Sequence, residues 1–338
     1  MRRKKNGISN SYYNINDTRI HVGILLMCLL CWILVYRNSW GYPVSNGIDS
    51  APLWNWLGRY LLFKPMAYLV GFLLMIGGAF IVQKANFELM LTRERSAVPF
   101  YFYIFIISTN VVFLPLRATS IGTFGLVICL LYLFGTYHNP NSSSYTFMIG
   151  FILAVGSLFW IPLIWFLPFF WYALYRFNSF SFRSFLGSVL GFTSLYWCLL
   201  GLCVWMNHMD WLVQWFTPLT RIQSFSSINF TPITLAYLSF YALLVLVAFV
   251  RRFTNPYENS LRTRRFLGIL MSMAVWIFLL NFIYERETPD FLIMNVTPVT
   301  FLASNFFTNT TKSKRGLIFF FVMIVIGFVL FAKQIWSF

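Results

Sequence analysis

From Ala118 to Tyr175 the chain contains no Asp, Glu, Lys or Arg. A water-soluble domain has no use for so long a charge-free run, because its surface is built from charged and polar side chains. Such domains are roughly 45–50% apolar and about 25% charged. This chain of 338 residues is 59% hydrophobic and 10% charged. A bilayer takes up that excess. It also demands that backbone polar groups be satisfied internally, which helices do. The fold class that follows is all-α, a polytopic transmembrane helical bundle.

Apolar runs fall at 21–36, 66–82, 99–115, 121–137, 186–206, 231–250, 267–284, 291–307 and 317–333. Several are near the lower limit of about 17 residues for a span. The segment 146–176 is too long for one comfortable crossing and slightly short for two. Charge decides between them. With two crossings, the amino-terminal cluster and the basic loops near 84–95, 176–183, 251–265 and 312–315 share one face, as the positive-inside rule requires. With one crossing, the last two clusters fall on the wrong side. Pro162 cannot continue a helix ladder and marks the turn. The expected architecture has about eleven spans, nine at the fewest, given the length a crossing needs, with a short Pro-marked helical hairpin at 146–176. Residues 1–20 form a basic cytoplasmic tail and 21–338 a single multi-span membrane domain. The expected location is the cell inner (cytoplasmic) membrane, with the amino terminus cytoplasmic and the carboxyl terminus periplasmic.

The net charge of +16 belongs to this topology rather than to nucleic acid, since no soluble basic domain exists to bind it. Its expected partners are the bilayer and the anionic lipids of the cytoplasmic face; protein partners are unknown at this stage. Cys28, Cys31, Cys129, Cys198 and Cys203 all lie in apolar runs, where small buried side chains are their ordinary role. MRRKK before an apolar run resembles a signal peptide, but no small-x-small cleavage site follows, and the run reads as an uncleaved first span. No Gly-rich phosphate loop, HExxH, or cysteine–histidine metal spacing occurs, so neither cofactor nor metal is expected.

The outer loops hold the remaining polar candidates. In PLWNWLGRYLLF, Asn55, Gly58 and Arg59 share one helical face and apolar side chains fill the rest, the pattern of an interfacial helix. Asp49 precedes it and is a candidate general base; His208 and Asp210, in NHMDW, are the other catalytic candidates. Arg59, Arg117 and Arg221 lie on the face where the positive-inside rule disfavours them. They are candidates for gripping a lipid phosphate; snorkelling to headgroups is the alternative. Asn110, Asn281 and Asn295 lie within spans and are expected to form helix-to-helix hydrogen bonds. Few ionisable groups sit at membrane depth, which weighs against ion-coupled transport.

FMIGFILAVGSLFWIPLIWFLPFFWYALYRFNSFSFRSFLGSVLGF joins a glycine-spaced helix, a proline-marked run, a short basic turn and a second glycine-containing helix. With RYLLFKPMAYLVGFLLMIGGAFIVQKANFELMLTRERSAVPFYFYI, it resembles an uncharacterised family of polytopic inner-membrane proteins of Bacteroidota, over about residues 50–310. That resemblance implies an inner-membrane protein of no assigned activity. The layout is also similar to membrane glycosyltransferases that use polyprenyl-phosphate sugars, which implies a polyprenyl-phosphate lipid as a candidate partner. These have a catalytic acid in the first outer loop, often beside a second one. Asp49 matches that place, while its neighbours Ile48 and Ser50 are not acids.

Three functions stay open: an accessory component of envelope or glycan biogenesis, a glycosyltransferase acting on a polyprenyl-phosphate-linked sugar, and a transporter or lipid flippase. Whether the protein is an enzyme is left undecided by the sequence.

Overall fold

The computed structural model describes residues 18–38, 51–61, 63–92, 96–139, 142–207, 215, 216, 219, 230–255, 259–284, 288–310 and 314–336. The elements among them are all helical: α1 (Thr18–Asn38), α2 (Pro52–Leu61), α3 (Lys64–Leu89), α4 (Val98–Ser108), α5 (Ala118–Gly135), α6 (Ser143–Ser157), α7 (Phe166–Arg176), α8 (Phe182–Trp205), α9 (Pro232–Thr254), α10 (Leu261–Ile283), α11 (Thr288–Thr310) and α12 (Lys314–Trp336). Among the described residues, eight of these are long and apolar enough to cross a membrane: α1, α3, α5 and α8 to α12. The bundle expected from composition is therefore present.

Three further helices of the bundle are short. α4 and α7 have 11 residues each and α6 has 15. At 1.5 Å per residue they reach about 16–23 Å, less than the ~30 Å hydrocarbon core. The run 99–115 therefore departs from the continuous span read from hydropathy. Its α-helix ends at Ser108, and a single 3₁₀ turn, Val111–Phe113, follows. The broken backbone finds partners in neighbouring helices. Tyr237 on α9 donates its hydroxyl to the Thr109 carbonyl at 2.6 Å. The Val111 N–H donates to Gln334 Oε1 on α12 at 3.1 Å, and Gln334 Nε2 donates to Asn110 Oδ1 at 3.3 Å. Irregular backbone at membrane depth is tolerated where protein covers it, and α4 is buried along most of its length.

The hairpin at 146–176 doubles back as the charge pattern required. Its two ends meet: Ser142 Oγ donates to the Ser179 carbonyl at 3.5 Å, and Ser179 Oγ donates to the Thr136 carbonyl at 2.5 Å. The reversal falls in the 3₁₀ segment Ile161–Trp165, which contains Pro162. α6 and α8, on either side of α7, consequently run parallel and in close contact. Gly187 and Gly191, spaced as GxxxG, lie against Ser143 and Phe147 of α6, while Gly150 of α6 lies against Ser188. Small residues at that spacing let helix backbones approach closely in membranes.

Contacts at the helix ends define two faces. On one, Thr263 Oγ1 bonds the Met90 carbonyl, Asn305 Nδ2 the Leu91 carbonyl, and Arg251 the Asn309 carbonyl. This basic face carries Arg176, Arg183, Arg251, Arg252, Arg262, Arg264, Arg265, Lys314 and Arg315 at helix ends. On the opposite face the Leu116 N–H bonds the Ala67 carbonyl, and the Leu53 N–H of α2 bonds the Leu158 carbonyl. α2 lies there as an interfacial piece. Its Trp54 is buried, while Trp56 and Tyr60 are exposed.

α11 runs through the middle, contacting α3, α4, α5, α9, α10 and α12, and is almost wholly buried. Of the three intramembrane asparagines expected to join helices, only Asn110 does so. Asn281 donates to Ile277 of its own helix, and the Asn295 amide has no hydrogen-bond partner.

A Cβ at Gly191 would overlap the Phe147 carbonyl oxygen, whereas nothing lies within 4 Å of one at Gly201. Overpacking of this kind costs about 1–3 kcal/mol. Gly191→Leu is expected to lower the thermal denaturation temperature of the purified protein in detergent by several degrees or abolish its monodisperse peak, with Gly201→Ala unchanged in both measurements.

Candidate functional site

α9 and α10 are joined by a short connection yet pack on each other only lightly, because each seats on α11. Their divergence leaves a lateral groove of 1420 Å³, closed on one side by α7. Local sequence sets each wall. Ser260 caps α10 by accepting from the Thr263 N–H, so the RTRR run falls in its first turns. α9 starts at Pro232 behind its cap Thr231 and ends with Arg251 and Arg252 in its last turn. α7 ends on Arg176.

The walls are apolar: Phe169 and Tyr172 from α7, Leu246, Phe249 and Phe253 from α9, and Met271, Val275, Trp276 and Leu279 from α10. At the basic end stand Arg176, Arg252, Arg264 and Arg265. Among the described residues none of these four forms an ion pair. Arg264 Nε is buried without a hydrogen-bond partner. Arg252 lies over Gly268, with its Nη1 3.6 Å from Met271 Sδ; a Cβ on Gly268 would stand 2.8 Å from that nitrogen. Gly268 is thus the space into which Arg252 folds. Arg265 Nη1 sits 3.3 Å from His138 Nε2, and its guanidinium is 5.8 Å from the Tyr137 ring centroid.

Four cations converging on a lipid-facing trough repel one another at reduced dielectric. An anion at that end relieves the repulsion, and guanidinium groups suit phosphate through paired N–H donors. Among the described residues every charged side chain lining the groove is cationic, so the arrangement suits holding an anion.

Asp49, His208, Asp210 and Arg221 fall outside the described residues, and Arg59 lies on α2 with its side chain outside them. Arg117 is placed at the opposite face beside Asp290 of α11. Its Nε and Nη2 donate to Asp290 Oδ1 and Oδ2 at 2.9 and 3.1 Å, and Thr119 Oγ1 adds a bond to Oδ1 at 2.7 Å. Both side chains are only 14% exposed. The charge of Arg117 is met within the protein, and Asp290 is its partner. The groove arginines were legible only as topology charges. Their one local signal is that the doublets at 251–252 and 264–265 end and begin consecutive helices.

Residues 59–337 match DUF6427, described as a family of unknown function, and the chain belongs to that family. No curated protein and no solved structure matches it.

The Arg117–Asp290 fork joins the start of α5 to the start of α11. Arg117→Ala, Asp290→Ala and the double variant, compared by denaturation in detergent, are expected to show a coupling energy of about 1–2 kcal/mol, within the range for side chains in direct contact. A coupling of zero would remove the pair as a tie between those helices.

Proposed function

We propose that this member of the DUF6427 family is a lipid-handling protein of the inner membrane, binding a phosphate-headed lipid in the groove between α7, α9 and α10 as an accessory component of envelope or glycan biogenesis. The observation that carries this reading is the coincidence of an apolar lateral trough with four arginines that have no acidic partner among the described residues. Hydrocarbon chains fill such a trough from the membrane, and the phosphate meets the guanidinium groups at its rim. Because the charged lining groups among the described residues are cations, the proposal is of binding.

The orientation is part of the proposal. The face with the basic helix ends is taken as cytoplasmic on the positive-inside rule, which puts the amino terminus in the cytoplasm and the carboxyl terminus in the periplasm. The groove arginines then meet the anionic cytoplasmic leaflet.

Two experiments test these statements. Fusions of a cytosol-only reporter at 256–258 and of a periplasm-only reporter after Phe338 are both expected to be active; inactivity of both reverses the map. Protein purified from nanodiscs containing phosphatidylcholine and phosphatidate is expected to retain phosphatidate, and Arg252→Gln/Arg264→Gln to retain at least about tenfold less, a difference of ~1.4 kcal/mol. Arg183→Gln, on the same face but outside the groove, is expected to retain it. Equal retention by all three proteins would remove the groove as the anion site.

A further inference from the structure

The length of the groove and the charge at its end narrow the class of lipid. Beyond Arg264 its lining on α10 runs to Leu279, and beyond Arg252 its lining on α9 runs to Ala242, about 22 Å and 15 Å of helix at 1.5 Å per residue. One leaflet of the ~30 Å hydrocarbon core is about 15 Å. A headgroup at Arg252 and Arg264 therefore has apolar wall ahead of it past the bilayer midplane on α10. The far part of that wall is Val275, Trp276 and Leu279, of which Val275 and Leu279 are about half exposed. The track between the two ends presents no free polar group on α10: Ser272 turns its hydroxyl back to the Gly268 and Ile269 carbonyls at 3.1 and 3.0 Å.

The rim adds a second constraint. An ordinary phosphodiester headgroup brings one negative charge to four guanidinium groups. A phosphate monoester carries about −1.5 to −2 at neutral pH, and a diphosphate also carries more than one.

We infer that the groove is shaped for a phosphate monoester or diphosphate borne on a single hydrocarbon chain long enough to pass the bilayer midplane, in preference to the two-chain phosphodiesters of the surrounding membrane. This rests on the groove being the lipid site at all. The gain from the longer chain is modest in kind. A chain leaving lipid for a protein wall exchanges one apolar surrounding for another, so only closer packing against the aromatic wall favours the groove.

The test uses the full chain in phosphatidylcholine nanodiscs, titrated separately with undecaprenyl phosphate, farnesyl phosphate and the phosphodiester dioleoyl phosphatidylglycerol. Undecaprenyl phosphate is expected to bind about tenfold more tightly than either of the others, a difference of ~1.4 kcal/mol. Val275→Trp/Leu279→Trp fills the far end at positions facing out of the core. It is expected to erase that preference while leaving farnesyl phosphate affinity unchanged. Equal affinity for all three lipids overturns the chain-length inference and leaves the anion site standing. So does a preference that survives the tryptophan pair. Loss of all dependence on Arg252 and Arg264 overturns both readings together.

Discussion

Hydrocarbon offers no hydrogen-bond partner to a peptide group, and the arrangement of this bundle follows from how each segment meets that condition. The long helices meet it alone, through their own ladders. Those on the outside, such as α1, α8 and α12, present broad apolar faces outward and need little from their neighbours. α4 cannot do the same, because its ladder stops at Ser108. It survives at depth since Tyr237 and Gln334 supply the missing bonds and neighbouring helices wrap it. The turn at Leu158 to Trp165 is met in the same way, by the amino end of α2 on one side and by Trp276 Nε1 donating to the Trp165 carbonyl at 3.1 Å on the other.

Helix spacing then separates closed seams from open ones. Gly150, Gly187 and Gly191 bring α6 and α8 into backbone contact, and no space is left between them. α9 and α10 carry bulkier side chains on the sides that face one another, among them Leu246, Phe249, Val275 and Trp276, and both bear on α11 instead. The gap that results is the groove. Arginine has two fates in the same molecule for a related reason. At the opposite face Arg117 reaches a carboxylate on α11 and is neutralised in place. At the basic face the first turns of α10 and the last turn of α9 bring in only further cations among the described residues.

Much of the fold was legible before any coordinates. The charge-free run, the apolar periodicity and the placement of lysine and arginine implied a helical membrane bundle with a reversal near Pro162, and the meeting of Ser142 with Ser179 bears out that reversal. The reading of 99–115 as one unbroken helix was wrong in detail. Hydropathy is a sum over side chains and is blind to a backbone break whose polar groups are satisfied by residues more than a hundred positions away.

The site was less legible. The arginines of the groove were visible as residues but indistinguishable from those that only set topology, and Arg117 was read as free because nothing local in sequence brings Asp290 to it. What the sequence by itself determined is the solvent: composition and charge distribution are sums over the chain, and they require a hydrocarbon surrounding and a threaded path through it. Only the tertiary structure decided which charges are paired, which seams close and where the trough runs, because those depend on contacts between residues far apart in the chain, which pattern alone does not encode.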